Sequence, residues 1–529
     1  MLYRARRMRT AAALISISLL AGCGVLTDDS AGSDGKITVG TTSKPSTLDP
    51  AGAWDGSWEL YRNVYQTLLS YPTGSSEPTV DAAKACDFAD RTHRVYECEL
   101  RPGLTFSDGT ALDAAAVKHT FDRIVRIKAE GGPRELLSSL DKVEVQSPVK
   151  VVFRLNKPDA TFPFVLATPG MSLVGPAAYP ADGLRSGDTV TGSGPYTVQA
   201  YRPEGQDSGA DLVSNETYKG FADRKNKNVT IRYFDDSAKM VQALKAKQID
   251  ATFRGLTAEQ VVALQQQVNG PVKVTESPGS EIHYLVFNPK DPNAAKPAVR
   301  RAIAQLVDRR ALVDKVYKGT AEPLYSMVPA GIAGHTTNFF DSYGEPDPQA
   351  AKRTLRAAGV RGVVPLALWY PTDRYGSATA LEFAELKRQL EESGLFRVTV
   401  QGRPWKLFQE GVQKGEFPVF GRGWAPDYPD PDSFVSPFVG ERNAISTPYL
   451  SPEITGRLLP KSRSEADRKR ALPYFVRAQE VLEKDIRLLP LWQGKMYVAA
   501  SEDIGGTERA LDPQTVMQVW ELYRKTSWD

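Results

Sequence analysis

Leu100-Arg101-Pro102-Gly103-Leu104-Thr105-Phe106-Ser107-Asp108-Gly109-Thr110 is the stretch on which the reading of this 529-residue chain turns. It reads as strand, turn, strand, with Asp108-Gly109 as the tight turn. Just downstream, Asp113 caps a helix that carries Val117, Phe121, Ile124 and Val125 on one face. Just upstream, 84–101 reads as a hairpin around the polar run Asp90-Arg91-Thr92-His93-Arg94. That hairpin sets Cys86 across from Cys98.

Further out, the pattern alternates between strand and helix. A short strand at 37–40 is followed by the turn Leu48-Asp49-Pro50-Ala51. A helix is predicted over 59–69, with Leu60, Val64, Leu68 and Leu69 sharing a face. A strand follows at 149–155. Gly192-Ser193-Gly194 is a turn that enters another strand at Tyr196, two glycines allowing unusual backbone angles. The segments 229–234, 237–247 and 249–253 form a strand-helix-strand unit. The spacing of Val299, Ala302, Ile303, Leu306 and Val307 predicts one amphipathic helix over 297–316. A second unit runs from a strand at 363–370 through a helix at 379–393, ended by Gly394, to a strand at 397–400. A long helix is expected near 464–484, with Pro473 as a kink or a late start. Two strands, 488–492 and 496–500, return to an earlier sheet. Mixed units of this kind argue for α/β lobes.

The ends set the compartment. Arg4, Arg6, Arg7 and Arg9 precede an apolar run at 11–20, which ends in Leu20-Ala21-Gly22-Cys23. A basic start, a short apolar core and small residues make 1–22 an export signal, too short to span a bilayer as an anchor. The flanks of Arg6-Arg7 fit general secretion better than the twin-arginine route. The ending resembles a bacterial lipobox. That resemblance implies cleavage before Cys23 and a lipid on it, which anchors the chain without spanning the membrane. Residues 23–35 read as a flexible tether. Removing 1–22 takes the formal charge from +3 to −1. No basic surplus remains to argue for nucleic acid or an anionic membrane surface. Outside the cytoplasm, Cys86 and Cys98 are an even pair and are read as a disulfide. With only His93 nearby they make a poor metal site.

Motifs for catalysis are scarce. The sequence has no P-loop, no Gly-x-Ser-x-Gly elbow, no His-Glu-x-x-His and no Cys-x-x-Cys. Its four histidines are far apart and read as packed or solvated. The concentrated chemistry is in Arg422-Gly423-Trp424-Ala425-Pro426-Asp427-Tyr428-Pro429-Asp430-Pro431-Asp432-Ser433-Phe434. This stretch is too rich in Pro and Gly for a helix or a central strand. Asp427, Asp430 and Asp432 admit three uses: glycoside hydrolysis, cation binding, or pairing with a ligand ammonium. The spacing is poor for a calcium loop, and no metal or cofactor is expected.

Several ordered motifs then combine: Leu48-Asp49-Pro50; Asn63-Val64-Tyr65-Gln66-Thr67-Leu68-Leu69; the stretch 100–110; Gly192 to Tyr196; Val299-Arg300-Arg301-Ala302-Ile303; Leu306-Val307-Asp308-Arg309; and the Trp-x-x-Asp of Trp424 and Asp427. In this combination, from about Lys36 to Trp528, the chain resembles the extracytoplasmic substrate-binding lipoproteins of peptide ABC importers, solute-binding family 5 of the dipeptide and oligopeptide type. The resemblance implies an α/β, two-lobed periplasmic-binding-protein clamshell of type II-like form, with an extra third domain. It places 36–70, 190–286 and 488–529 in lobe I, 71–189 in the extra domain and 287–487 in lobe II, with two crossing strands near 286 and 488 as the hinge.

The resemblance also implies a function: a monomeric, non-enzymatic receptor that captures peptides between its lobes and delivers them to permease subunits. It is held at the outer face of the cell membrane through Cys23. Asp427 is expected to take the peptide α-amino group and Trp424 to wall the side-chain pocket. Arg422 meets either a ligand carboxylate or a neighbouring acid. Asp430, Asp432 and the Phe106–Gly109 turn are read as structural. Three alternatives stay open: a non-peptide solute on the same scaffold (oligosaccharide, chelated nickel, haem or opine), an exported hydrolase using Asp427, Asp430 and Asp432, and a sensory receptor. Trp369, Tyr370 and Trp405 keep the sugar option alive.

Overall fold

The computed structural model describes residues 35–267 and 270–526. The expected signal at 1–22, Cys23 and nearly all of the tether lie outside the described residues.

Strand order organises the molecule. One large sheet runs 396–403, 364–371, 419–424, 272–287, 488–501, 251–253, 37–41, 228–233, 209–214, 196–202. Its two halves belong to two lobes, joined by two long antiparallel strands, Val272–Phe287 and Leu488–Ser501. Toward one end of this ribbon Phe253 pairs with Val498; toward the other Ile282 pairs with Trp424. The pairing of the two long strands is interrupted between Pro278 and Ile282. A bulge there bends and twists the ribbon locally. Leu488–Ser501 is one continuous strand, where two separate strands were expected. The Gln493-Gly494-Lys495 stretch stays extended because Gly494 and Gln493 pair with Ala321–Pro323 on the other side.

A third body carries its own antiparallel sheet, ordered Ala83–Phe88, Val95–Leu100, Lys150–Leu155, Leu140–Ser147. The helix Ala114–Ile127 packs on it, and Asp113 accepts from the Ala116 N–H at 2.9 Å as the cap. Phe106, Phe121, Phe153 and Phe162 are fully buried there. Burying each contributes about 1.5–3 kcal/mol. Cys86 and Cys98 face each other across the hairpin and are joined as a disulfide. Residues 105–111 form the tight turn but contribute only a single bridge, Thr105 to Ala111, rather than two strands.

The quoted motifs work as joints. Asp49 is fully buried and receives both guanidinium nitrogens of Arg123 at 2.8 and 2.7 Å, docking the third body onto the first lobe. The Asn63 side chain donates to Met517 O and accepts from Val519 N, tying the first helix to the end of the chain.

Three expected helices differ. The first, Trp58–Val64, stops early because Tyr65 turns extended. There the Gly194 N–H donates to Val64 O, and a Cβ on Gly192 or Gly194 would overlap the Val64 backbone. Leu68 and Leu69 then enter the core of the third body instead of finishing a helical face. The helix expected over 297–316 is two, Pro297–Ala304 and Arg309–Lys315. Asp308 breaks it by accepting from the Ala311 N–H at 2.8 Å as a new cap. Near the C-terminal end, Leu459–Arg463 precedes a helix at Arg468–Asp485 that retains Pro473 in its interior.

Candidate functional site

A cleft of about 890 Å³ lies between the lobes and the third body. Three strands of the second lobe, Val364–Pro371, Phe396–Arg403 and Val419–Trp424, run parallel. The chain leaving each of them lines the cleft, through Arg374 and Tyr375, Trp405, and Trp424 to Tyr428. The carboxyl ends of parallel strands leave such a crevice, because the turns into the next elements splay apart there.

The stretch 422–434 is divided by this geometry. Arg422, Gly423 and Trp424 complete Val419–Trp424, a strand inside the large sheet, where no central strand was expected. A sheet tolerates glycine at this point because a Cβ on Gly423 would strike His283 and Tyr375. From Ala425 onward the chain leaves the sheet. Asp430 caps the short turn Pro431–Phe434 by accepting from Asp432 N at 2.8 Å.

Asp427, Trp424 and Arg422 all line the cleft, half-buried. Among the described residues the Asp427 carboxylate has no hydrogen-bond or ion-pair partner. Burial pushes its pKa up to about 7 with no cation to offset it. Its main chain is pinned instead: the N–H donates to Ser433 Oγ at 2.9 Å and the carbonyl accepts from Gln514 Nε2 at 2.6 Å. Trp424 donates its Nε1–H to Ser433 O at 2.8 Å and stands edge-on to Phe438 at 5.4 Å. Its rotamer is therefore fixed. Among the described residues Arg422 pairs with no acid; its Cζ sits 5.4 Å from the Trp405 ring centre.

The other two carboxylates are sequestered. Asp430 receives two guanidinium bonds from Arg468, at 2.7 and 2.9 Å, with both side chains buried. Asp432 receives two from Arg463, at 2.9 and 2.8 Å. Burial alone would raise the Asp432 carboxyl, but Arg463 outweighs it and holds it at about 2. These two acids are therefore more than turn residues. Hydrolysis of glycosides needs two available carboxyls facing one bond, and of this trio only Asp427 lines the cleft.

Sequence reading missed part of the lining. Arg254 is bonded to Glu59 at 2.7 Å and to Thr515 O at 2.7 Å. Glu281 accepts from or pairs with His283 Nε2 at 3.1 Å, and His283 stacks on Trp492 at 3.8 Å. Arg374 lies 5.3 Å from the Trp405 ring centre. The available signal was position: 372–377 is a polar, glycine-containing loop directly after a predicted strand. Of the aromatics noted for a sugar, Trp405 lines the cleft. Trp369 stacks on Phe417 at 4.4 Å and Tyr370 lies against Phe383 at 5.0 Å, both away from the cleft lining.

Residues 77–446 match the family model for bacterial extracellular solute-binding proteins, family 5. The chain belongs to that family. It is 25% identical over 484 residues to the probable D,D-dipeptide-binding periplasmic protein DdpA of Escherichia coli, covering 89% of this chain and 90% of that one. It is 25% identical over 507 residues to the E. coli glutathione-binding protein GsiB, covering 93% and 94%. The fold matches that of the Helicobacter pylori periplasmic binding protein DppA in complex with peptide STSA, with a TM-score of 0.74 at 21% identity over 93% and 98% of the two chains. The architecture is thus the periplasmic-binding-protein clamshell with an additional lobe. As a family 5 protein the chain acts outside the cytoplasm, and by binding rather than by catalysis.

Proposed function

We propose that this family 5 protein captures peptides in the cleft between its lobes and hands them to the permease of an ABC importer. The observation that carries the reading is Asp427, a carboxylate in the cleft wall with no partner of its own. An ammonium is the group such a site lacks, and a charge-assisted pair formed there is shielded from water once the lobes close. Trp424, locked by its bond to Ser433, forms the wall of the adjacent pocket. Arg422 faces the carboxylate end of the ligand, since no neighbouring acid claims it. The ligands named for relatives, a D,D-dipeptide and the peptide STSA, support the peptide class.

In this reading 36–70, 190–286 and 488–529 act as lobe I, 287–487 as lobe II and 71–189 as the extra domain. The lobes turn about the two crossing strands near 286 and 488, whose pairing is irregular between Pro278 and Ile282. Cys23 carries the lipid that keeps the receptor at the outer face of the membrane, and the receptor works as a monomer. Calorimetry of the mature protein with a panel of di- to pentapeptides tests the reading, alongside mass spectrometry of co-purified ligand. Peptide binding abolished by Asp427→Asn supports it. A panel with no binder, and a non-peptide recovered from the cleft, would end it.

A further inference from the structure

Two cations in the cleft have no counter-charge. Arg374 and Arg422 converge on one indole, their Cζ atoms 5.3 and 5.4 Å from the Trp405 ring centre. Both line the cleft. Among the described residues neither lies within ion-pair distance of a carboxylate. Two guanidiniums gathered on one ring repel each other, and the indole face offsets part of that cost while restricting where they sit. Trp405 is itself fixed. Its backbone N–H donates to the Asp373 carboxylate at 2.6 Å, and Phe408 stacks against its ring at 5.9 Å.

The remaining charges of the cleft are engaged. Arg254 is held by Glu59 and Arg463 by Asp432. On the acid side, Glu281 is bonded to His283, Asp55 to Ser57, Glu135 to Arg134 and Asp159 to Thr161. The field of Glu281 reaches Arg374, but the two make no contact. Among the described residues, Arg374 and Arg422 are thus the lining cations without an ion pair, and Asp427 is the lining acid whose carboxylate makes no bond at all.

A zwitterionic peptide brings one ammonium and one carboxylate, so it answers Asp427 and only one of the two arginines. We infer that the site selects ligands with a second carboxylate: peptides bearing an acidic side chain near the C-terminal end, whose two carboxylates meet Arg374 and Arg422 on either side of Trp405. This inference rests on the peptide reading above. It adds that side-chain choice is not indifferent at that end, because a neutral side chain there leaves a desolvated guanidinium without a partner.

The test is calorimetry on the mature protein with matched pairs, Ala-Glu against Ala-Gln and Ala-Ala-Glu against Ala-Ala-Gln. The acidic member of at least one pair binds at least about tenfold more tightly. The ratio falls toward one in Arg422→Gln and in Arg374→Gln, and is retained in Arg422→Lys, which keeps the charge. Melting curves establish that each variant is folded before it is titrated. Equal affinity within both pairs overturns the inference while leaving peptide capture standing, as does a preference that survives both glutamine substitutions. Absence of binding by every peptide overturns the peptide reading and this inference with it.

Discussion

Gln514 Nε2 donates to the main-chain carbonyl of Asp427 at 2.6 Å, joining the C-terminal segment of the chain to the cleft loop that carries Asp427. The same Gln514 accepts from buried Arg62 at 2.9 Å, and Arg62 is also held by Asp512 at 3.1 Å. The bond therefore hangs from a rigid network. Gln514→Ala removes one anchor of the Asp427 main chain, with an expected cost of about 0.5–1.5 kcal/mol. Peptide affinity falls about 2- to 10-fold, chiefly through faster dissociation, as read by surface plasmon resonance.

Asp427 makes ligand affinity depend on pH. Burial raises its carboxyl to about 7, against about 3.9 in an unfolded chain. An ammonium pairs with the ionised form, so affinity rises with pH through about 7 and is lost in acid. Near pH 6 binding releases a proton, which calorimetry in buffers of different ionisation enthalpy detects. The free protein behaves oppositely. Between about pH 4 and 7 its native state holds a proton that the unfolded state has lost, so this group's effect is to lower stability as pH rises across that window. Asp427→Asn flattens this stability dependence, as read by denaturant unfolding across the window.

Arg468→Ala leaves Asp430 buried without its cation, and stability drops by about 3–5 kcal/mol in denaturant unfolding. Because Asp430 caps the turn that carries Ser433, and Ser433 holds both Asp427 and Trp424, peptide affinity falls as well. Asp432 behaves differently with acid. Its carboxyl sits at about 2, below its unfolded value, so the stability it contributes is complete above about pH 4 and disappears only as pH falls through about 2.

Replacing Cys86 and Cys98 together by serine removes a crosslink that spans 12 positions of the chain. Loop-closure entropy puts the loss at about 3 kcal/mol. The hairpin belongs to the third body, so calorimetric unfolding of that body moves to lower temperature while peptide binding at 25 °C is retained.

Much of the architecture was legible in sequence because local chemistry and fold agreed. Asp113 and Gly394 mark helix ends by capping and by a left-handed backbone, and both do so in the structure. Legibility failed where a distant part of the chain decided the outcome. Trp58–Val64 stops because the 192–194 turn, more than a hundred residues on, occupies the space beside Val64. Gly423 belongs to a strand because His283 and Tyr375 need the volume a side chain would take. Asp427 could be picked out by its place after Trp424, yet its lack of a partner is visible only once Arg463 and Arg468 are seen to claim its neighbours. Arg374 and Trp405 are 31 positions apart in sequence, and it is the parallel pairing of three strands that brings them together.

The contacts of Asn63 with Met517 and Val519, and of Arg62 with Asp512, impose an order of events on the newborn chain. The first helix waits for partners roughly 450 positions downstream, and loop closures that long are the slow kind to find. The packing around that helix stays incomplete until residues 512–519 have been made. A chain built this way stays unfinished through most of its synthesis, which is the condition a translocation channel requires of its passengers.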